Sequence, residues 1–332
     1  MTLNRRTFLN VLAASTVAAG STATTRLLAA EVPLKKVRYG GSAWLGHYPA
    51  FLAMEYGYFK EAGIEQDWQN FRSTSSRMAA FMSGDLDVGC SGIVSAMALM
   101  ARGAKHFSIV AIPDSFGRVE GLLVRDSVRN FRDLKGKKIG VTFASSTHTL
   151  VLDILNQAGL SLDDVTVLNV PAPELPAAIQ SGQVDAAAAW TPQFDAIRKM
   201  PGISLLADDS AFSLYKTHKV TPGPDVLIAS RKFIEQNGDT LRSYLKAYFR
   251  GSEQLTSDPA RAAKILPKLT NLSEADQIEV VKGADFYSQK QQASLLKGEY
   301  VDGLQRLADI LVTQKQIDKA PDVRNWVDSS FI

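Results

Sequence analysis

Ser83-Gly84-Asp85-Leu86-Asp87-Val88-Gly89 and, 98 positions later, Ser181-Gly182-Gln183-Val184-Asp185-Ala186-Ala187 say the same thing twice. Each opens on Ser-Gly at the end of an apolar helical run and places an Asp three residues after the Gly. Each then enters a short apolar run. A Gly just past a helix supplies the left-handed C-cap. The apolar run after it reads as a buried parallel strand. Two such units imply two similar α/β lobes with a cleft between them.

The intervening sequence supports this. Strands are expected at 36–40, 65–71, 88–90 and 109–112, with helices between them, which makes a first βαβαβ lobe. Glu120 to Val124 reads as a strand crossing out. A second lobe follows, with strands at 139–142, 165–170 and 186–190 and a helix opened by Ser145-Ser146-Thr147-His148. Asp225 to Ala229 reads as the strand crossing back, and the pattern from Arg231 onward is almost wholly helical. The expected organisation is therefore one lobe from 35–118 with 230–332, and a second from 119–229.

The N-terminus reads as an address and not as fold. Asn4-Arg5-Arg6-Thr7-Phe8-Leu9 is a twin-arginine pattern, followed by an Ala- and Thr-rich stretch and Ala29-Ala30. Residues 1–30 are expected to be a cleaved Tat-type signal. Three of the 37 basic residues fall there, leaving 34 against 34 acidic ones. No basic field then remains to attract nucleic acid. Cys90 is the only cysteine, so no intrachain disulfide forms, and no cysteine near the cleavage site offers a lipid anchor. A soluble, exported monomer is expected.

Ligands of open α/β sheets bind beyond the carboxyl ends of the strands. Those ends carry Ser42 and Trp44, Ser75 and Ser76, Ser91 and Gly92, Ser145 to His148, and Trp190. Hydroxyls beside helix N-termini suit an oxyanion. Ser145, Ser146 and Thr147 make the best cradle, with no carboxylate in the next five residues, and His148 can donate to an anion. Trp190 follows the all-alanine run 186–189 and is expected to project into the cleft. Glu120 and Asp225, on the crossing strands, need a partner, either a ligand ammonium or an ion pair with Arg118 or Arg231.

Enzyme signals are poor. Gly-x-Ser-x-Gly, P-loop, His-Glu-x-x-His and Gly-x-Gly-x-x-Gly motifs are all missing. His47, His106, His148 and His218 are scattered without metal-ligand spacing, and Cys90 reads as a core thiol. No cofactor or metal is expected.

Several stretches resemble a known family. Glu55 to Ile64, Leu134 to Ile139, Val141 to His148, Trp190-Thr191-Pro192, Lys282-Gly283 and Gln291-Gln292 are similar to the periplasmic substrate-binding proteins of ABC importers. The branch is the one for sulfonates, taurine, nitrate and thiamine precursors, and most nearly its taurine-binding members. The resemblance spans residues 35–332. It implies a type II periplasmic-binding fold whose lobes close on a small organic anion and hand it to an ABC permease in the inner membrane. It implies that Ser145, Ser146, Thr147 and His148 bind a sulfonate, that Trp190 covers the ligand, and that Glu120 or Asp225 meets an amine. The sequence departs from the taurine binders at Ser91-Gly92-Ile93-Val94, at Trp44 and at Arg118, which leaves a larger sulfonate open. Nitrate or a thiamine-precursor pyrimidine is the alternative cargo. From another class, a pyridoxal-phosphate-dependent thiamine-pyrimidine synthase is the enzyme alternative.

Overall fold

The computed structural model describes residues 33–332. The signal expected over 1–30 lies outside the described residues. The strands in chain order are β1 (Lys35–Gly41), β2 (Ile64–Asn70), β3 (Val88–Gly92), β4 (Phe107–Ala111), β5 (Asp114–Phe116), β6 (Glu120–Arg125), β7 (Lys138–Val141), β8 (Thr166–Asn169), β9 (Ala186–Trp190), β10 (Ile203–Asp208), β11 (Asp225–Ser230) and β12 (Ala284–Phe286). They form two five-stranded sheets, ordered β2-β1-β3-β11-β4 and β10-β6-β9-β7-β8, and a β12-β5 ribbon.

The repeated motif does the same work in each sheet. Gly84 and Gly182 take left-handed C-caps at φ 83° and 79°. Asp87 then accepts the backbone N–H of Arg38 on β1 at 2.9 Å, and Asp185 accepts that of Lys138 on β7 at 2.8 Å. The N–H groups of the same two aspartates donate back to the carbonyls of Arg38 and Lys138. Each Asp thus locks the entry of one strand to its parallel neighbour.

Side chains alternate across both sheets, as the pleat requires. On the first, Val37, Tyr39, Cys90 and Leu227 pack against Tyr244, Leu245 and Tyr248 of the helix Arg231–Ser257. On the second, Leu122, Val124, Ala186 and Ala188 face Leu150 and Ile154 of the helix Ser146–Ala158, while Leu123, Ala187 and Ala189 face Leu175, Ile179 and Phe194. The four alanines of β9 let helices approach from both sides, and all are fully buried.

The structure departs from the sequence reading in identifiable places. The helix expected from Tyr48 to Phe59 breaks at Gly57, φ 77°, into Tyr48–Glu55 and Tyr58–Glu61. β10 was not expected. It is a half-buried edge strand with a bulge between Leu205 and Ala207, so it lacks a clean apolar alternation. β11 does not cross between lobes. It lies inside the first sheet, antiparallel to both β3 and β4. The return crossing therefore precedes Asp225.

Candidate functional site

The carboxyl ends of β1, β2, β3, β7 and β9 open onto one cleft of about 440 Å³. From the first sheet and its loops come Ser42, Trp44, Phe71 to Thr74, Arg77, Gly92 and Asp225, and from the β12-β5 ribbon Phe116. From the second sheet come Glu120, Thr142 to Ser146 and Trp190. Of the expected residues, the fold brings together Ser42, Trp44, Gly92, Glu120, Ser145, Ser146, Trp190 and Asp225.

Five expected residues do not line this cleft, each for a local reason. Ser76 Oγ turns back to the Ser73 carbonyl at 3.0 Å, because Ser73 is the N-cap and Ser75 and Ser76 lie on the outer side of the first turn. Ser73 and Thr74 reach the cleft instead. Ser91 points into the protein, 1% exposed, with its Oγ on the Gly92 carbonyl at 3.3 Å. Thr147 is fully buried and bonded to Ser145 Oγ at 3.0 Å. His148 stacks on Phe143, centroids 4.6 Å apart, and its Nδ1 accepts the Ala144 N–H at 3.3 Å. Burial lowers the pKa of His148 and favours the neutral ring. A helix turns 100° per residue, so only its opening residues face one opening.

The anion cradle expected at Ser145–His148 already faces a carboxylate. Ser146 Oγ donates to Glu120 Oε2 at 2.6 Å. Sequence spacing kept acids away from this helix start, but β6 brings one in from 26 positions earlier. Burial raises Glu120 to about 7, against the lowering effect of its hydrogen bonds from Ser146 and with Asp209. Asp225 receives the Trp44 indole N–H at 2.6 Å, and burial raises it to about 6. Neither acid takes the expected arginine. Arg118 donates to the Lys282 carbonyl, and Arg231 to the carbonyls of Phe107 and Asn325.

Two arginines line the cleft, the exposed Arg72 and the buried Arg77, and the sequence reading passed over Arg77 as the end of a polar loop. It is 4% exposed, and its Nε has no hydrogen-bond partner. Among the described residues no acid lies within ion-pair distance of it. Its one side-chain bond is a long 3.5 Å contact to Thr74 Oγ1. The signal available in the sequence was helical phase. Arg77 sits one turn before Phe81, on the face that Met78 and Phe81 bury. A buried arginine with no ion-pair partner in contact is costly; its charge is felt by Asp225 across the cavity, which it lines together with Ser73 and Thr74.

The cleft thus has the guanidinium groups of Arg72 and Arg77, two raised acids, and five aromatic side chains, Trp44, Phe71, Phe116, Phe143 and Trp190. This is the equipment of a protein that holds a small organic molecule between two sheets. The arrangement is the type II periplasmic-binding-protein fold. The periplasmic aliphatic sulphonate binding protein SsuA from Escherichia coli shares it, with a TM-score of 0.77 at 22% identity, covering 89% of this chain and 92% of that one. The alkanesulfonate-binding protein SsuA from Xanthomonas axonopodis pv. citri, bound to MOPS, gives 0.72 at 23% identity, covering 90% of this chain and all of that one, 100%. The family described as NMT1/THI5 like matches residues 44–262, and the chain belongs to it. In sequence, the taurine-binding periplasmic protein of Escherichia coli (strain K12) is 28% identical over 281 residues, 82% of this chain and 85% of that protein.

Proposed function

We propose that this protein is a receptor for a small sulfonate-like organic anion, taurine or another alkanesulfonate, and delivers it to an ABC import permease. The observation that carries this is Arg77, a buried guanidinium with no acidic partner that lines the cleft beside two hydroxyl residues. A sulfonate supplies one spread negative charge and three acceptor oxygens, which suits a guanidinium flanked by Ser73 and Thr74. Glu120 and Asp225 suit an ammonium at the other end of the same ligand, which favours taurine-like zwitterions over nitrate. The aromatic walls favour an organic ligand with some apolar body.

The moving bodies are the two sheets with their helices, 35–118 with 225–332 against 119–224, so that β11 moves with the first. A ligand touching both walls stabilises the shut state. The protein acts as a monomer in the periplasm, exported through the twin-arginine route by residues 1–30. The enzyme alternative needs a cofactor lysine in the cleft, and the lining residues include none. They do not fit pyridoxal phosphate. Cys90 is buried with its thiol pushed up, so it is a poor nucleophile.

Titration calorimetry with taurine, ethanesulfonate, nitrate and a hydroxymethylpyrimidine tests the reading. Taurine or ethanesulfonate is expected to bind and nitrate to bind far more weakly. Failure of every sulfonate sinks it.

A further inference from the structure

Behind Glu120 stands a second acid that the binding reading does not use. Asp209 follows directly on β10, whose antiparallel register sets Asp208 opposite Gly121 and so brings Asp209 to Glu120. Asp209 is fully buried, and neither of its carboxyl oxygens receives a hydrogen bond. Glu120 Oε1 is likewise buried without a donor of its own, while Oε2 is held by Ser146. The register sets the two carboxyl groups as neighbours, and the free oxygens of each have no donor unless one of the pair carries a proton.

The other titratable groups acting on this pair are Asp208 beside Asp209 and Asp225 near Glu120, both acidic. No lysine or arginine is in ion-pair contact with either member among the described residues. The described residues also hold no group of three or more His, Cys, Asp or Glu placed to take a metal ion. Two bare carboxylates cannot share such a site, because neither desolvation nor mutual repulsion is offset. One proton between them removes both penalties and makes a hydrogen bond.

We infer that Asp209 is a positioning residue that keeps this proton and donates it to Glu120, so that Glu120 presents a single, oriented negative charge to the cationic end of the ligand. Glu120 lines the cleft, whereas Asp209 does not. The proton therefore rests on the inner acid and the charge on the outer one. Burial pushes Asp209 well above the ordinary aspartate range, and the Glu120 charge pushes it the same way. The inference extends the proposed function by assigning a residue to recognition of the ammonium, and that part rests on the sulfonate reading.

The test has two arms. In ligand-free protein at pH 8, above the value of about 7 to which burial raises Glu120, infrared difference spectroscopy between wild type and Asp209→Asn is expected to show loss of one protonated-carboxylic-acid band. An unchanged band intensity overturns the inference whatever the ligand proves to be. In the second arm, calorimetry compares taurine with ethanesulfonate, which lacks the amine. Asp209→Leu is expected to weaken taurine at least tenfold and ethanesulfonate less than threefold. Asp209→Asn, which can still donate, is expected to restore most of the taurine affinity. Equal losses for both ligands, or no rescue by Asn, overturn the positioning role. If wild type binds neither probe, the sulfonate reading fails and the infrared arm still decides where the proton sits. If the Leu variant does not fold, the infrared comparison with Asp209→Asn decides alone.

Discussion

The indole N–H of Trp44 donates to Oδ2 of Asp225 at 2.6 Å across a sequence separation of 181 residues. Trp44 lies just beyond β1, Asp225 begins β11, and both line the cleft. The bond needs the absence of a side chain at Gly46, where a Cβ would fall 1.9 Å from the same Oδ2. Trp44→Phe should keep the ring and strand the acid, at a cost of about 1–3 kcal/mol. Gly46→Ala should break the same contact by displacing the carboxyl. The double variant should then lose clearly less than the sum of the two, by urea denaturation at pH 7. Simple additivity would mean that the two residues do not share this contact.

Arg77 separates binding from stability. Arg77→Met keeps the bulk of the stem and removes a buried charge that has no ion pair in contact, so the fold should lose little or even gain. Sulfonate affinity should fall at least tenfold in calorimetry. A variant that unfolds easily yet still binds would show that Arg77 is a structural cation.

The raised acids set the pH dependence of the ligand-free protein. Glu120 goes from 4.5 to about 7 and Asp225 from 3.8 to about 6. The folded state therefore holds more protons than the unfolded chain in the interval between. Stability present at low pH is lost as pH rises, by at most about 1.4 kcal/mol per pH unit for each group. His47 and His148 are lowered by burial and act in the opposite sense, but their contribution is complete by about pH 6.5. The thermal midpoint should thus fall between pH 6.5 and 8, and saturating taurine should reduce the fall. A midpoint that rises across this window would contradict the burial of unpaired acids.

Gly223 approaches the start of the second-sheet helix from the segment before β11. A Cβ there would lie 2.4 Å from Ser146 Cβ. Gly223→Val should push Ser146 away and loosen its bond to Glu120. Ligand affinity should drop severalfold, with a loss of about 1–3 kcal/mol in stability from the overpacking. Unaltered affinity would place this approach outside the binding geometry.

Much of this architecture is readable in the chain because it is local. Gly84 and Gly182 are C-caps by chemistry, and Asp87 and Asp185 follow at a fixed offset, so two lobes could be read from two heptapeptides. The surroundings of the expected anion cradle are not legible in the chain for the opposite reason. Whether Ser145–His148 is free depends on Glu120, which arrives through sheet pairing and not through sequence proximity. Asp209 escaped notice because β10 is an edge strand with little apolar pattern. Arg77 was hidden in a polar run, where composition outweighed helical phase.

The placement of β11 has a consequence for how the molecule is assembled. It fills the slot between β3 and β4, yet it is made more than a hundred residues after β4. Until the ribosome has passed Ser230, the growing chain carries two strands with open, apolar flanks that no nearby segment can satisfy. Such long-range closure is slow and leaves sticky edges exposed while it waits. A nascent chain halted before Asp225 should therefore recruit general chaperones, and completion of one six-residue strand should release them.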